Sequence, residues 1–249
     1  MKPPLGVSLL RLFAVQGSWN YERMLGLGVG VAQEPLLRDL RSGNGDGDGG
    51  PVYRAAVARA AHFFNAHPYL CGLVVGAAAR AEHDGASPEQ VERLRRALCG
   101  PLGSIGDRLV WAGWLPLTSA LTVAAVALGA GGWAVAGFLL VYNAGHVALR
   151  WWALSAGWRH GTRVAVALHH PAIIRAQGLV GPMAAFAAGW CLPLAAVWLA
   201  RPLPPWGMTA AALVAVAGVS ALLAAPRLTA QRLGLILIAV ALVIGVAWP

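Results

Sequence analysis

The sequence predicts an all-α integral membrane protein with N-terminal amphipathic or interfacial helices, re-entrant hairpin-like segments and about five transmembrane helices. Three observations point there. First, 58% of the 249 residues are hydrophobic and only 12% are charged, half the charge of an ordinary soluble domain (about 25%). Second, mean hydropathy is +0.61, and long apolar runs fill the second half of the chain. Third, charge is divided along the chain. All ten carboxylates lie at or before Asp107, while the 142 residues after it hold eight Arg and no acid. Those Arg stand singly between apolar runs rather than in a basic stripe, which speaks for membrane topology and against nucleic acid.

In chain order, residues 5–40 read as an amphipathic helix. Leu5, Leu9, Leu12 and Phe13 recur at helical spacing, as do Met24, Leu27 and Val31. Arg11, Glu22, Arg23, Glu34 and Arg38 interrupt any spanning run, so this element is expected to lie on the membrane or against a bundle, with Pro35 kinking or ending it. After Lys2, the short run 5–15 has no cleavage pattern behind it and does not read as a signal peptide. Residues 42–51 are rich in Gly and Asp and read as a flexible loop. A calcium loop would need a bidentate acid at its twelfth position, and no acid falls between Gly49 and Ala81.

Residues 53–67 read as a helix ending before Pro68. The apolar run 69–79 is too short to span and fits a re-entrant or half-buried segment. Residues 80–97 read as a polar helix with a start signal at Ser87-Pro88-Glu89. Gly and Pro mark 98–108 as a second candidate re-entrant element. Spans are expected at 110–128 (bent at Pro116), 133–149, 179–200, 206–225 and 233–248. Residues 1–97 thus form an N-terminal region and 98–249 a transmembrane region. Placing the Arg-rich connections inside puts the N-terminus in the cytoplasm.

Three polar islands interrupt the apolar chain, and polar groups in membrane-class sequence are costly enough to mark function. The first, residues 16–24, carries Asn20, Glu22 and Arg23 beside Trp19, Tyr21 and Met24. Glu22 either pairs across an interface or lines a polar pathway, or the element is interfacial with its charges in water. The second, residues 62–69, contains His62, Asn65 and His67. The two His are five apart and share no helix face, so His67 reads as a helix-end residue before Pro68 rather than a zinc ligand. The third, residues 100–107, ends at Asp107, which is either part of a substrate pathway or a structural cap, with Arg108 as a candidate partner. Adjacent His169 and His170 read as loop residues. Cys71, Cys99 and Cys191 are odd in number, form no CxxC and read as buried apolar residues. No catalytic triad, phosphate loop, zinc motif or carboxylate pair is visible, and no cofactor is called for.

These islands resemble, in wording and order, the IID components of mannose/fructose/sorbose-type sugar phosphotransferase systems. The phrases are Gln16–Met24, Phe63-Phe64-Asn65 with Pro68, Gly100-Pro101-Leu102 followed by Gly106-Asp107, Trp111-Ala112-Gly113 with Pro116, Asn143, and Arg150-Trp151-Trp152. The resemblance covers roughly residues 8–200. It implies a non-catalytic membrane subunit in the bacterial inner (cytoplasmic) membrane, hetero-oligomeric with a IIC subunit. Soluble IIA and IIB proteins relay phosphate from phosphoenolpyruvate, and a hexose crossing the IIC–IID unit is phosphorylated by IIB. Asn20, Glu22, Arg23, Asn65 and Asp107 are the expected pathway or interface residues. The alternative is a non-transporting IID-like assembly or sensor protein, motivated by the short 201–207 segment where many relatives are longer.

Overall fold

The computed structural model describes residues 3–41 and 50–200, and beyond them the single positions 207, 213, 214, 216, 217 and 220. The expected spans 206–225 and 233–248 lie outside the described residues, apart from those six positions. So does the expected loop at 42–51, except that Gly50 and Pro51 already belong to a helix. The chain divides into two compact units, Met1–Pro193 and Leu194–Pro249. All three polar islands fall in the first unit.

Nine α-helices make up the described architecture: α1 (Leu5–Leu12), α2 (Gly26–Leu37), α3 (Gly50–Ala60), α4 (Cys71–His83), α5 (Pro88–Gly106), α6 (Leu115–Ala127), α7 (Gly132–His160), α8 (Ala165–Leu168) and α9 (Pro171–Ala200). The single element expected over 5–40 is two helices. Turns over 13–25 separate α1 from α2, because Asn20 draws the backbone into a local turn. α1 is amphipathic in the expected way, with Leu12 buried and Leu10 exposed. α2 is apolar apart from Gln33 and Glu34 and is mostly buried, with Val29, Ala32, Leu36 and Leu37 inside the protein. Pro35 precedes its end by two residues, and a 3-10 turn follows (Arg38–Arg41).

The core is built around α4. Ten of its thirteen residues are buried, so the run 69–79 is an internal helix. It packs backbone to backbone on the second half of α7. A Cβ on Gly76 would stand 2.4 Å from Trp158 N and 2.5 Å from Leu154 O, and one on Gly157 would stand 2.3 Å from Leu73 O. Small residues at such a crossing let two helices approach as closely as their main chains allow.

The expected start signal before α5 is realised as a capping box. Ser87 Oγ accepts from Gln90 N at 3.3 Å, and Gln90 Oε1 accepts from Ser87 N at 2.8 Å. From there the chain is helical without a break over Pro88–Ala127. The Gly- and Pro-rich stretch 98–108 is therefore not a hairpin but the interior of a long helix. Pro101 lies inside α5, and residues Asp107–Trp114 form a π-helical segment between α5 and α6. That wider register shifts the hydrogen-bond pattern just before Pro116, whose missing N–H falls in the first turn of α6.

Among the described residues, three helices are long and apolar enough to cross a membrane: Pro88–Ala127, Gly132–Arg163 and Pro171–Ala195. Their outward faces carry large apolar groups such as Trp133, Leu140 and Phe186, at 85%, 73% and 77% exposure. Soluble proteins rarely leave such surfaces bare, so these faces belong to lipid or to a protein partner.

Glu34 ties the N-terminal helices together. Its carboxylate accepts from Arg38 Nε (2.8 Å) and Nη2 (2.9 Å), Arg11 Nη1 (2.7 Å), Arg41 Nη2 (3.3 Å) and the Tyr53 hydroxyl (2.9 Å). The Arg38 guanidinium, seconded by Tyr53 and Arg11, holds the carboxyl at about 2 against an ordinary 4.5. A depressed carboxyl stabilises the fold at pH values above its ordinary pKa and loses that contribution on acidification. Glu34→Gln is therefore expected to lower the unfolding temperature in detergent at neutral pH. Its deficit against the parent protein should shrink between pH 4.5 and about 2, as thermal scans across that range would show. Gly76→Ala and Gly157→Ala should each destabilise by about 1–3 kcal/mol through overpacking. Gly137→Ala, whose Cβ meets nothing within 4 Å, is the matched control and should be neutral.

Candidate functional site

The first island folds around Asn20. Its Oδ1 accepts from Glu22 N (3.1 Å) and Arg23 N (2.9 Å), and its Nδ2 donates to Ser18 O (3.1 Å). This is the local side-chain to backbone pattern that competes with helix formation. Met24 closes the turn at a φ of 51°, a left-handed conformation that an unbranched side chain adopts only at a cost. The turn is then bonded to the second island. Phe64 N donates to Arg23 O (3.2 Å), Leu25 N donates to Phe64 O (2.9 Å), and Phe64 is fully buried between them. Glu22 and Arg23 stay exposed. Arg23 Nη1 reaches Ala61 O at 3.5 Å, and the Glu22 carboxylate makes no hydrogen bond or ion pair among the described residues.

In the second island His67 is not at a helix end. It is 1% exposed, and its Nδ1 accepts from Tyr69 N at 3.2 Å, so the proton of the neutral ring sits on Nε2, which is buried and meets no partner among the described residues. Burial, with the Arg150 charge second, lowers its pKa to about 4 and keeps it neutral at pH 7. The third island crosses directly over it. A Cβ on Gly106 would stand 2.2 Å from the His67 Cβ, so only glycine lets α5 pass here.

The second and third islands enclose an open groove of about 560 Å³ whose polar lining is Asn65, His67, Ser104 and Asp107, with Phe63 and Trp111 as aromatic walls. Asn65 and Asp107 are both exposed. Arg108 does not pair with Asp107. It turns back to Ser104, with Nε 3.3 Å from the carbonyl and Nη2 3.4 Å from the hydroxyl, which leaves the Asp107 carboxylate without a partner among the described residues. The structure thus brings Asn65 and Asp107 into one groove and leaves Asn20, Glu22 and Arg23 on a neighbouring turn. An amide, a hydroxyl and a carboxylate beside aromatic faces can hydrogen-bond and stack on a neutral polyhydroxylated ligand.

Arg150, 2% exposed, bonds the backbone of Pro68, which lines the groove. Its Nη1 donates to Leu12 O, at the end of α1, and to Pro68 O (3.3 Å), and its Nε donates to His146 Nε2 (2.6 Å). The guanidinium lies 4.7 Å from the Tyr69 ring centroid and 5.4 Å from that of Phe13. Among the described residues no carboxylate bonds it. Tyr69 stacks on His146 with centroids 4.0 Å apart and shares a 2.9 Å hydrogen bond with the Tyr142 hydroxyl. The residue pattern singles out Arg150 only as an edge to an apolar run. The stronger signal is its isolation, as the only charged residue between Arg108 and Arg159. His169 and His170 make local contacts, to Ala165 O (3.0 Å) and from Ala172 N (3.3 Å).

Comparison with known proteins places this arrangement. Residues 5–189 match the family described as the phosphotransferase system mannose/fructose/sorbose family IID component. The sorbose-specific EIID component of Klebsiella pneumoniae is 32% identical over 160 residues, 62% of this chain and 56% of that protein. The mannose-specific EIID component of Escherichia coli K12 is 27% identical over 157 residues (61% and 53%), and the fructose permease IID component of Bacillus subtilis 27% over 156 residues (59% and 53%). The chain spans about half the length of these relatives. Two solved structures share the fold at 22% identity, each covering 76% of this chain and 69% of the other. One is described as a membrane protein (TM-score 0.66), the other as the mannose transporter ManYZ in complex with microcin E492 (TM-score 0.59). A match that runs through all three islands and the Arg150 junction assigns this chain to the mannose/fructose/sorbose family of phosphotransferase IID components.

Proposed function

We propose that this chain is the IID membrane subunit of a mannose-type, phosphoenolpyruvate-dependent sugar phosphotransferase permease. It pairs with a IIC subunit in the bacterial cytoplasmic membrane, with its N-terminus inside, and helps to translocate a hexose that IIB phosphorylates after receiving phosphate from IIA. The chain contributes no chemistry of its own. Its work is to hold part of the path and to dock its partners.

The observation that carries this reading is the groove, in which Asn65 from one island and Asp107 from another face the same space with Ser104 and Trp111. A transported sugar needs hydrogen-bond partners to replace water and an aromatic face for its C–H surface, held weakly enough to release it. Asn20, Glu22 and Arg23, on the adjoining exposed turn, are suited to the contact with a partner subunit. Large bare apolar groups on α6, α7 and α9 fit the same picture of a subunit that is completed in the bilayer.

Sugar uptake by cells with the matching IIC, IIA and IIB proteins tests this directly. With Asp107→Ala at equal membrane abundance, uptake should fall roughly tenfold or more, the size expected for one lost hydrogen bond to a charged group. Unchanged uptake would remove Asp107 from the path. Glu22→Ala should instead reduce the IIC recovered with the chain. Purification without any IIC, and no sugar-dependent consumption of phosphoenolpyruvate, would favour a non-transporting assembly role.

A further inference from the structure

A second groove, of about 690 Å³, lies elsewhere. It lies between α5 up to Pro101, the turn before it, and the residues from Thr162 through α8. Its floor is apolar, formed by Leu94, Leu98, Pro101, Val164 and Leu168, and its rim carries Arg93, Gln90 and Thr162. Arg93 is exposed and in no ion pair among the described residues, and so is Arg163, next in sequence to Thr162. The acid on the rim, Asp84, is already neutralised by Arg80 at 2.9 Å.

The position of this groove follows from connectivity. The first spanning helix starts at Pro88 and the second ends at Arg163, and the third starts at Pro171. A helix that crosses and a helix that returns bring the start of the first and the end of the second to the same side. Arg93, Arg95, Arg96, Arg159 and Arg163 mark that side as the inner one. α5 itself changes character along the groove, from the polar stretch 88–97 to the apolar stretch that enters the span. A groove with a cationic rim at the helix ends and an apolar floor running toward the span has the polarity of a phospholipid, head outward and chain inward.

We propose that this groove binds an anionic phospholipid of the inner leaflet, with Arg93 and Arg163 taking the phosphate and the Leu94–Leu98–Leu168 floor taking an acyl chain. Charge complementarity selects this occupant over a zwitterionic lipid, since the rim presents the exposed guanidinium of Arg93 and an acid neutralised by Arg80, with exposed Arg163 placed in sequence between the lining residues Thr162 and Val164. The site is separate from the Asn65–Asp107 groove and does not depend on which solute, if any, the protein transports.

The test is native mass spectrometry of the full chain, purified in detergent and offered equal amounts of phosphatidylglycerol and phosphatidylcholine. Phosphatidylglycerol should be retained preferentially, by roughly fivefold for each arginine engaged. The Arg93→Ala/Arg163→Ala double variant should bring the ratio close to one, and the Arg93→Lys/Arg163→Lys variant should keep most of the preference. Ala97→Trp, which fills the floor from an exposed position, should lower the occupancy of both lipids while helicity stays unchanged. Equal retention of the two lipids by the parent protein overturns the proposal. So does protection against heat by inorganic phosphate that matches phosphatidylglycerol, which would make this a free-anion site. A preference that survives both arginine variants would place the lipid elsewhere and overturn it as well.

Discussion

The fold of this protein depends on one buried cation. Arg150 has no carboxylate among the described residues to neutralise it. Instead its charge is dispersed over two backbone carbonyls, an imidazole nitrogen and two aromatic faces. A desolvated charge left without such partners would cost several kcal/mol, so each partner is held in place by the need of the others. The carbonyl of Leu12 fixes the end of α1, the carbonyl of Pro68 fixes the second island, and His146 fixes the turn of α7 above it. One side chain on a spanning helix thereby decides where two segments far away in sequence must sit. The arrangement also explains why Tyr69 and His146 stack, since both are packed around the same guanidinium.

Close main-chain packing does the rest. Gly76 and Gly157 bring α4 against α7, Gly106 brings α5 over His67, and Gly28 brings α2 onto Val15, where a Cβ would stand 2.0 Å from the carbonyl oxygen. At these crossings contact is made by main chain on main chain. Such contacts leave little slack, so the polar islands that lie between them are fixed by their surroundings rather than by their own propensities.

The helical class and the existence of spans were legible in the sequence, because hydropathy over twenty residues is a strong signal. So was the start of α5, because Ser87 and Gln90 form a local motif that needs no tertiary partner. The interruption of 5–40 was not legible, because it arises when Asn20 bonds its own backbone and Phe64, forty-four residues on, completes the turn. The continuity of 98–108 was hidden for the converse reason. Gly106 and Pro101 look like breakers, yet here Gly106 is required by His67 and the π-helical segment Asp107–Trp114 eases the register toward Pro116. Of the site, Asn65 and Asp107 were readable as costly polar residues, whereas Trp111 and Ser104 join them only through the geometry of the groove.

The described acids divide into those that the fold pairs and those that it leaves exposed. Glu34, Glu82, Asp84 and Glu92 each meet a basic side chain, and Glu89 sits at the α5 N-terminus beside Ser87. These carboxylates are consumed by the fold. Glu22 and Asp107 are not, and they fall in the first and third polar islands, one on the exposed turn and one in the groove. A chain that carries no acid beyond position 107, and commits most of its described acids to stability, keeps these two carboxylates uncommitted beside the junction that Arg150 organises. In the function proposed above, Asp107 would meet a solute and Glu22 a basic surface on a neighbouring subunit; what the fold itself shows is that both carboxylates are exposed and unpaired among the described residues.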